Sequence, residues 1–493
     1  MQPKRFLAPL WLTLGATLLP PESEAAPPTA ADLERMWKII QQQQKEIEAL
    51  KAKVGENEAL KREIKELRAA QPPAKAGPAE PVQADQQAPK APAKAAKSEV
   101  ERKTEILATE VEKLKTKLFI PESREYKSQY GLGPAASEVY RVSRGLSIGG
   151  YGELFYTHYT GDRGDAKDRI DLTRAVLYVG YKFNDWIVLN NEFEFEHATT
   201  GEGSEEKGEV SVEFSQLDFF LHPAANIRAG LMLMPIGFIN EIHEPVTFHG
   251  NRRPDVEQFI IPTTWREMGA GLFGQLAPGL QYRVYAVNGL DAKGFESTGI
   301  REGRQGGSLA LAEDFAFTGR VDYTPSFAPG LLVGGSAYVG EAGQDQRFRG
   351  QRISPLTQLY EGHLQWRYRG FEFRALGAYG HIGDAAALSA AKGETIGSSN
   401  FGWYTEVAYD LMPWLWRDST QYLAPFFRYE RYNTQASVPS GFDRDRTLDR
   451  WIYQAGLTYK PIQNIAVKLD YRNVNSTGGP LPDELNLGVG FIY

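Results

Sequence analysis

Residues 236–264 carry the densest mixture of chemically able side chains in the sequence: Glu241, His243, Glu244, His249, Arg252, Arg253, Asp255 and Glu257. His243-Glu244 opens like a zinc-protease motif, which needs a second histidine four residues after the first. Thr247 occupies that position, so the match fails. A glycine-rich phosphate loop ending in Lys-Ser or Lys-Thr is also missing. Ser211 or Ser215 could serve a hydrolase only if the fold set one beside His197 or His222. The residues therefore suggest no catalytic site, no metal site and no cofactor, and an enzyme is not expected. Charges of both signs on one long loop suit a different task, the sorting of ions. A ring of arginines favours anions and a ring of carboxylates favours cations. Arg252 and Arg253 are the best candidates for solute contact, with a solvated loop tip as the alternative.

Such a loop needs a frame, and the C-terminal stretch shows what kind. In Asp483–Tyr493, Leu485, Leu487, Val489, Phe491 and Tyr493 are apolar at every second position, with Asn486, Gly488 and Gly490 between them. Period-two alternation puts one set on each face of a strand. An apolar face that ends in an aromatic residue suits a strand with lipid outside and water inside.

Composition supports that reading. Of 493 residues none is cysteine, which removes disulfides and thiolate metal sites. Mean hydropathy is −0.41. Beyond the first twenty residues, no apolar run approaches the ~18 residues of a helical membrane span. Barrel strands carry a much weaker hydropathy signal and stay allowed. The net charge of −7 argues against a nucleic-acid partner.

The chain begins with Lys4-Arg5, an apolar core over Phe6–Leu19 and a Ser23-Glu24-Ala25 site, the pattern of a signal peptide over residues 1–25. Residues 26–70 contain heptads: Leu33, Ile40, Ile47 and Val54 are spaced by seven, as are Met36, Gln43, Leu50 and Asn57. After a three-residue stammer, Leu60, Ile64 and Leu67 continue the stripe. This predicts a coiled coil, with Gln43 and Asn57 fixing its register. Residues 71–97 form a Pro/Ala-rich linker. Val100, Thr104, Leu107, Val111, Leu114 and Leu118 make a second coiled-coil helix within 98–120, stopped by Pro121. Residues 121–145 read as a polar connector. Two heptad blocks imply self-association.

From Leu146 to the end, aromatic-rich alternating segments recur. Strands are predicted near 146–160, 168–184, 186–198, 210–222, 226–235, 265–277, 279–289 and 314–325. Others are predicted near 329–341, 355–369, 371–382, 399–412, 421–432, 449–461, 463–474 and 483–493. These sixteen are an even number, as a single-chain bacterial barrel requires. Tight turns such as Asn184-Asp185, Pro278-Gly279 and Arg369-Gly370 alternate with long polar loops, the two rims of an outer-membrane barrel. The fold class is thus an all-β transmembrane barrel preceded by an α-helical coiled coil. If the apolar parity faces lipid, Glu192, Glu194, Glu372, Arg374, Arg428, Glu430, Gln454, Lys468, Asp470 and Arg472 face inward. Charges of both signs predict a wet bore, because unpaired ions are costly in a dry core.

Some of these segments resemble the phosphate-selective porin O and P family. Arg169-Ile-Asp-Leu-Thr-Arg174-Ala-Val-Leu-Tyr-Val-Gly180 looks like that family's second strand. Gln216-Leu-Asp218-Phe-Phe-Leu and Arg228-Ala-Gly-Leu-Met-Leu-Met-Pro235-Ile-Gly237-Phe look like its fourth and fifth strands and the entry to its constricting loop. Thr247-Phe248 fits an aromatic position of that loop. The resemblance spans 146–493. It implies a homotrimeric sixteen-stranded channel for small hydrophilic solutes or ions, such as phosphate, in the outer membrane of a Gram-negative bacterium. Arg174 and Arg228 then join Arg252, Arg253, Arg374, Arg428, Lys468, Arg472, Glu192 and Glu194 as lining candidates. The family's selectivity rests on a dense ladder of basic residues, whereas Glu and Asp are interleaved throughout this chain. The partners expected are outer-membrane lipid, two further copies and, through a periplasmic coiled coil, peptidoglycan. Two alternatives are a structural tether anchored by the barrel, and the barrel sheath of a larger complex.

Overall fold

The computed structural model describes residues 126–200 and 208–493, all in the larger of two compact units, Lys113–Tyr493. The expected signal peptide, both heptad stretches and the linker lie outside the described residues.

Sixteen antiparallel strands form a closed ring. They are β1 (Gly145–Tyr159), β2 (Arg169–Lys182), β3 (Ile187–Glu196), β4 (Val210–His222), β5 (Ala225–Leu233), β6 (Arg266–Ala277), β7 (Leu280–Asn288) and β8 (Phe315–Tyr323). The second half comprises β9 (Leu331–Gly340), β10 (Thr357–Tyr368), β11 (Phe371–Ile382), β12 (Ser399–Tyr409), β13 (Tyr422–Ser437), β14 (Asp449–Ile462), β15 (Ile465–Ser476) and β16 (Glu484–Ile492). Each strand pairs with its sequence neighbour. The ring closes where β1 meets β16, from Tyr151↔Ile492 to Tyr159↔Glu484.

The strands fall where the alternation predicts them, with shifts at the ends. β13 continues to Ser437, and β12 stops at Tyr409 because the helical turn Met412–Leu415 follows. The β10–β11 turn shows why one rim is tight. Tyr368 pairs with Phe371 across Arg369 (φ 50°) and Gly370 (φ 84°). Positive φ at both central residues matches the twist of the flanking strands, and glycine adopts it without a side-chain clash.

Parity sets the two faces. In β15, Lys468, Asp470 and Arg472 are buried, while Leu469 and Tyr471 are 46% and 41% exposed on the outside. The same inward and outward assignment holds in β3, β11, β13, β14 and β16.

The interior departs from the wet bore expected. A sixteen-strand ring is too wide for wall side chains to fill, so other segments fold into it. Met234, Ile236, Val256, Ile260 and Trp265 pack with wall residues Tyr338, Tyr404 and Tyr432. Leu290, Phe295, Ile300, Phe348, Leu388 and Ile396 join them from the long loops. A second apolar cluster brings Leu132, Ala135 and Ala136 against Tyr151, Val176, Tyr178 and Phe214. The described part of the expected polar connector therefore reaches into the barrel interior: residues 132–139 pack inside the ring, where a short 3-10 helix runs over Ala136–Tyr140. Its small apolar side chains are what fit there.

Candidate constriction site

Loop 234–265, between β5 and β6, crosses the bore. Asn240 closes its neck. Its Nδ2 donates to Met234 O (2.7 Å) and Trp265 O (2.9 Å), and its Oδ1 accepts from Trp265 N (2.6 Å). From that neck the loop is tied to the wall around most of the ring. Arg320 of β8 donates to Gly237 O, and Arg283 of β7 lies 3.0 Å from Glu241. Lys460 of β14 donates to Val246 O (2.8 Å), and Arg374 of β11 to Thr247 O (3.3 Å). Arg428 of β13 donates to His249 O (2.6 Å), and Lys468 of β15 to Gly250 O (2.8 Å). Asn251 donates to Asp470 (2.7 Å), and Arg252 to Glu484 of β16 (2.6 Å). Arg472 holds Asp255 at 2.5 Å, and Tyr404 of β12 donates to Glu257 at 2.6 Å.

These contacts explain how so many ions are buried. Backbone carbonyls and loop carboxylates replace water around the cations, which satisfies them with charge-assisted hydrogen bonds. The prediction that inward charges must face water is corrected here for Arg428, Lys468 and Arg472: each is buried against the loop. Sequence spacing could not show it, because the partners lie some two hundred residues away.

One sector differs. Beside β1–β4, Arg174 contacts Glu153, Glu194 (2.8 Å) and Glu196 (3.3 Å), and Arg266 lies 2.7 Å from Glu213. His243 is 3.2 Å from Glu192. Among the described residues, fifteen side-chain polar atoms are buried without a hydrogen-bond partner. Eight of them sit in this sector, on Tyr151, Arg174, Glu192, Glu194, Glu213, Arg253 (two atoms) and Arg266. Arg174 Nε and Glu194 Oε1 still form an ion pair with each other at 2.8 Å; the other six atoms are of the kind that water ordinarily satisfies, which makes this the sector of the bore suited to hydration. On the tight-turn side a separate cavity of about 1330 Å³ opens beneath the loop. Arg374 lies over Phe238 (4.8 Å) and Lys460 over Tyr422 (5.0 Å) along its wall.

No family model matches the chain. An uncharacterized protein of Aquifex aeolicus (strain VF5) is 40% identical over 371 residues, 73% of this chain and 82% of that protein. The chain belongs to that protein's family. Among solved structures, Salmonella typhi OmpF in complex with daunomycin shares 12% identity at a TM-score of 0.47, covering 71% of this chain and 98% of that one. The trimer form of Vibrio cholerae OmpT shares 10% at 0.45 (71% and 100%), and Pseudomonas aeruginosa OccK1 11% at 0.39 (71% and 98%). With no matching model, the resemblance to the phosphate-selective porins rests on its motifs alone.

In this member of the Aquifex protein's family, Arg174, Glu192, Glu194 and Arg253 come together in the hydrated sector. Arg252, Arg374, Arg428, Lys468 and Arg472 anchor the loop instead. Arg228 belongs to neither group: it is locked to Asp218 (2.7 Å) and lies 3.4 Å from the Tyr140 hydroxyl of the entering segment. The suggested hydrolase pairs do not form, since Ser211 points to Glu213 and Ser215 donates to Asn191. Sequence reasoning missed Glu213, Arg266, Arg283 and Arg320. Their period-two positions on predicted strands were the available signal.

Proposed function

We propose that the chain is an outer-membrane channel for passive diffusion of small hydrophilic solutes or ions. The observation that carries this is the pairing of an apolar outer belt with a charged, partly hydrated interior in a closed ring. Ile170 (79%), Phe317 (68%) and Phe315 (62%) stand exposed on the outside among many smaller apolar patches. A soluble protein would rarely expose that much apolar surface, whereas lipid accepts it. The hydrated sector holds Arg174, Arg253 and Arg266 against Glu192, Glu194 and Glu213, so selectivity between anions and cations is weak and phosphate has no special claim. The reading includes export through the signal peptide, a trimer, and a periplasmic coiled coil reaching toward peptidoglycan.

Recording the purified, folded protein in planar bilayers under a salt gradient tests the channel. Discrete openings with a reversal potential near zero are expected. A folded barrel that gives no openings at any voltage the bilayer withstands, even after the buried segment 126–141 is removed, overturns the reading. The packed bore would then favour the structural tether. The lipid-facing belt is tested separately by Leu487→Lys, at a position 52% exposed near the middle of β16. In lipid this costs about 2–4 kcal/mol. At a water-exposed site the change would be close to neutral, so an unaltered unfolding midpoint in lipid vesicles argues against a membrane belt.

A further inference from the structure

The segment 126–144 is held where a solute would have to pass. Successive inward residues of β3 order what lies along the bore from the tight-turn rim. Asn190 donates to Ala136 O of the segment (2.7 Å), Glu192 meets His243 of the loop, and Glu194 meets Arg174 in the hydrated sector. These residues are about 6–7 Å apart along the strand, so the segment sits between the rim and the hydrated sector. Tyr126, Gln129, Tyr130 and Pro134 line the tight-turn cavity on the segment's other side. Between cavity and hydrated sector, Leu132, Ala135 and Ala136 pack with Tyr151, Tyr178, Phe214 and Val246 in an apolar layer. Small hydrophilic solutes do not cross such a layer.

The segment is also latched to the constriction loop. Glu244 accepts from Ala135 N (2.9 Å) and Ala136 N (3.1 Å), occupying the free N–H groups at the start of the 3-10 helix. Tyr140 donates to Asp218 (2.6 Å). Gly180 of β2 leaves room for Val139, whose Cβ lies 2.6 Å from where a Gly180 Cβ would stand.

We propose that residues 126–144 are a gate: in place they separate the tight-turn cavity from the hydrated sector, and their withdrawal joins the two into a conducting path. This rests on the channel reading.

Two variants of the full chain test it in planar bilayers. Deletion of residues 126–141 is expected to raise open probability about tenfold or more. The chain has no cysteine, so Val139→Cys with Gly180→Cys introduces a single pair close enough to bridge after a small backbone adjustment. Oxidised, this variant is expected to lose its openings, and a reductant is expected to restore them. Open probability equal to that of the unaltered chain in the deletion overturns the gate. Should the deletion fail to fold, openings that persist in the fully oxidised pair overturn it instead. If neither the unaltered chain nor the folded deletion conducts, the channel reading itself falls and takes the gate with it.

Discussion

Replacing Arg428 by methionine is expected to destabilise the barrel by about 3–5 kcal/mol, the range for leaving a buried ion without its partner. The guanidinium is fully buried. It donates through Nε to Glu406 (2.9 Å), through Nη1 to Gln454 (3.0 Å) and through Nη2 to His249 O (2.6 Å), with Glu430 3.6 Å away. Methionine fills much of the volume but none of those roles. Glu406 and Glu430 would remain buried beside each other without a cation, and the loop would lose its hold on β13. The measurement is the urea midpoint of the heat-modifiable band in vesicles. Adding Glu406→Gln to Arg428→Met should recover part of the loss, because one stranded charge is removed. A single variant within ~0.5 kcal/mol of the parent would show that water already reaches this site.

Removing residues 484–493 is expected to abolish barrel formation altogether. β16 is the strand that closes the ring: it pairs with β1 along Tyr151–Tyr159 and with β15 along Ile465–Arg472. Without it two rows of backbone N–H and C=O groups face lipid with no partner, which membranes do not tolerate. Glu484 is lost as well, and with it the 2.6 Å contact to Arg252 and the 3.0 Å contact to Arg472. Refolding into vesicles should yield no protease-resistant band. A resistant band of native mobility would mean that β1 and β15 can close a fifteen-stranded ring, contrary to the staggered register seen here.

The strands were legible because their signal is local. Leu469 and Tyr471 point outward and Lys468, Asp470 and Arg472 inward by simple parity, and parity needs only the neighbours in sequence. Arg369-Gly370 likewise announces a tight turn without help from the rest of the molecule. The same parity gave Glu192, Glu194 and Arg174 an inward direction, and these do meet in one sector of the bore.

What an inward side chain meets is a different question. Lys468 and Arg428 looked like lining residues of an open channel, yet they grip Gly250 O and His249 O. The connector's Leu132, Ala135, Ala136 and Val139 have neither heptad nor strand periodicity, so nothing local marked them as a layer inside the barrel. Local alternation was enough to specify a ring of strands, with its tight and long rims and its two faces. What occupies the bore was not legible in that way, because it depends on segments far apart in the chain meeting inside the ring.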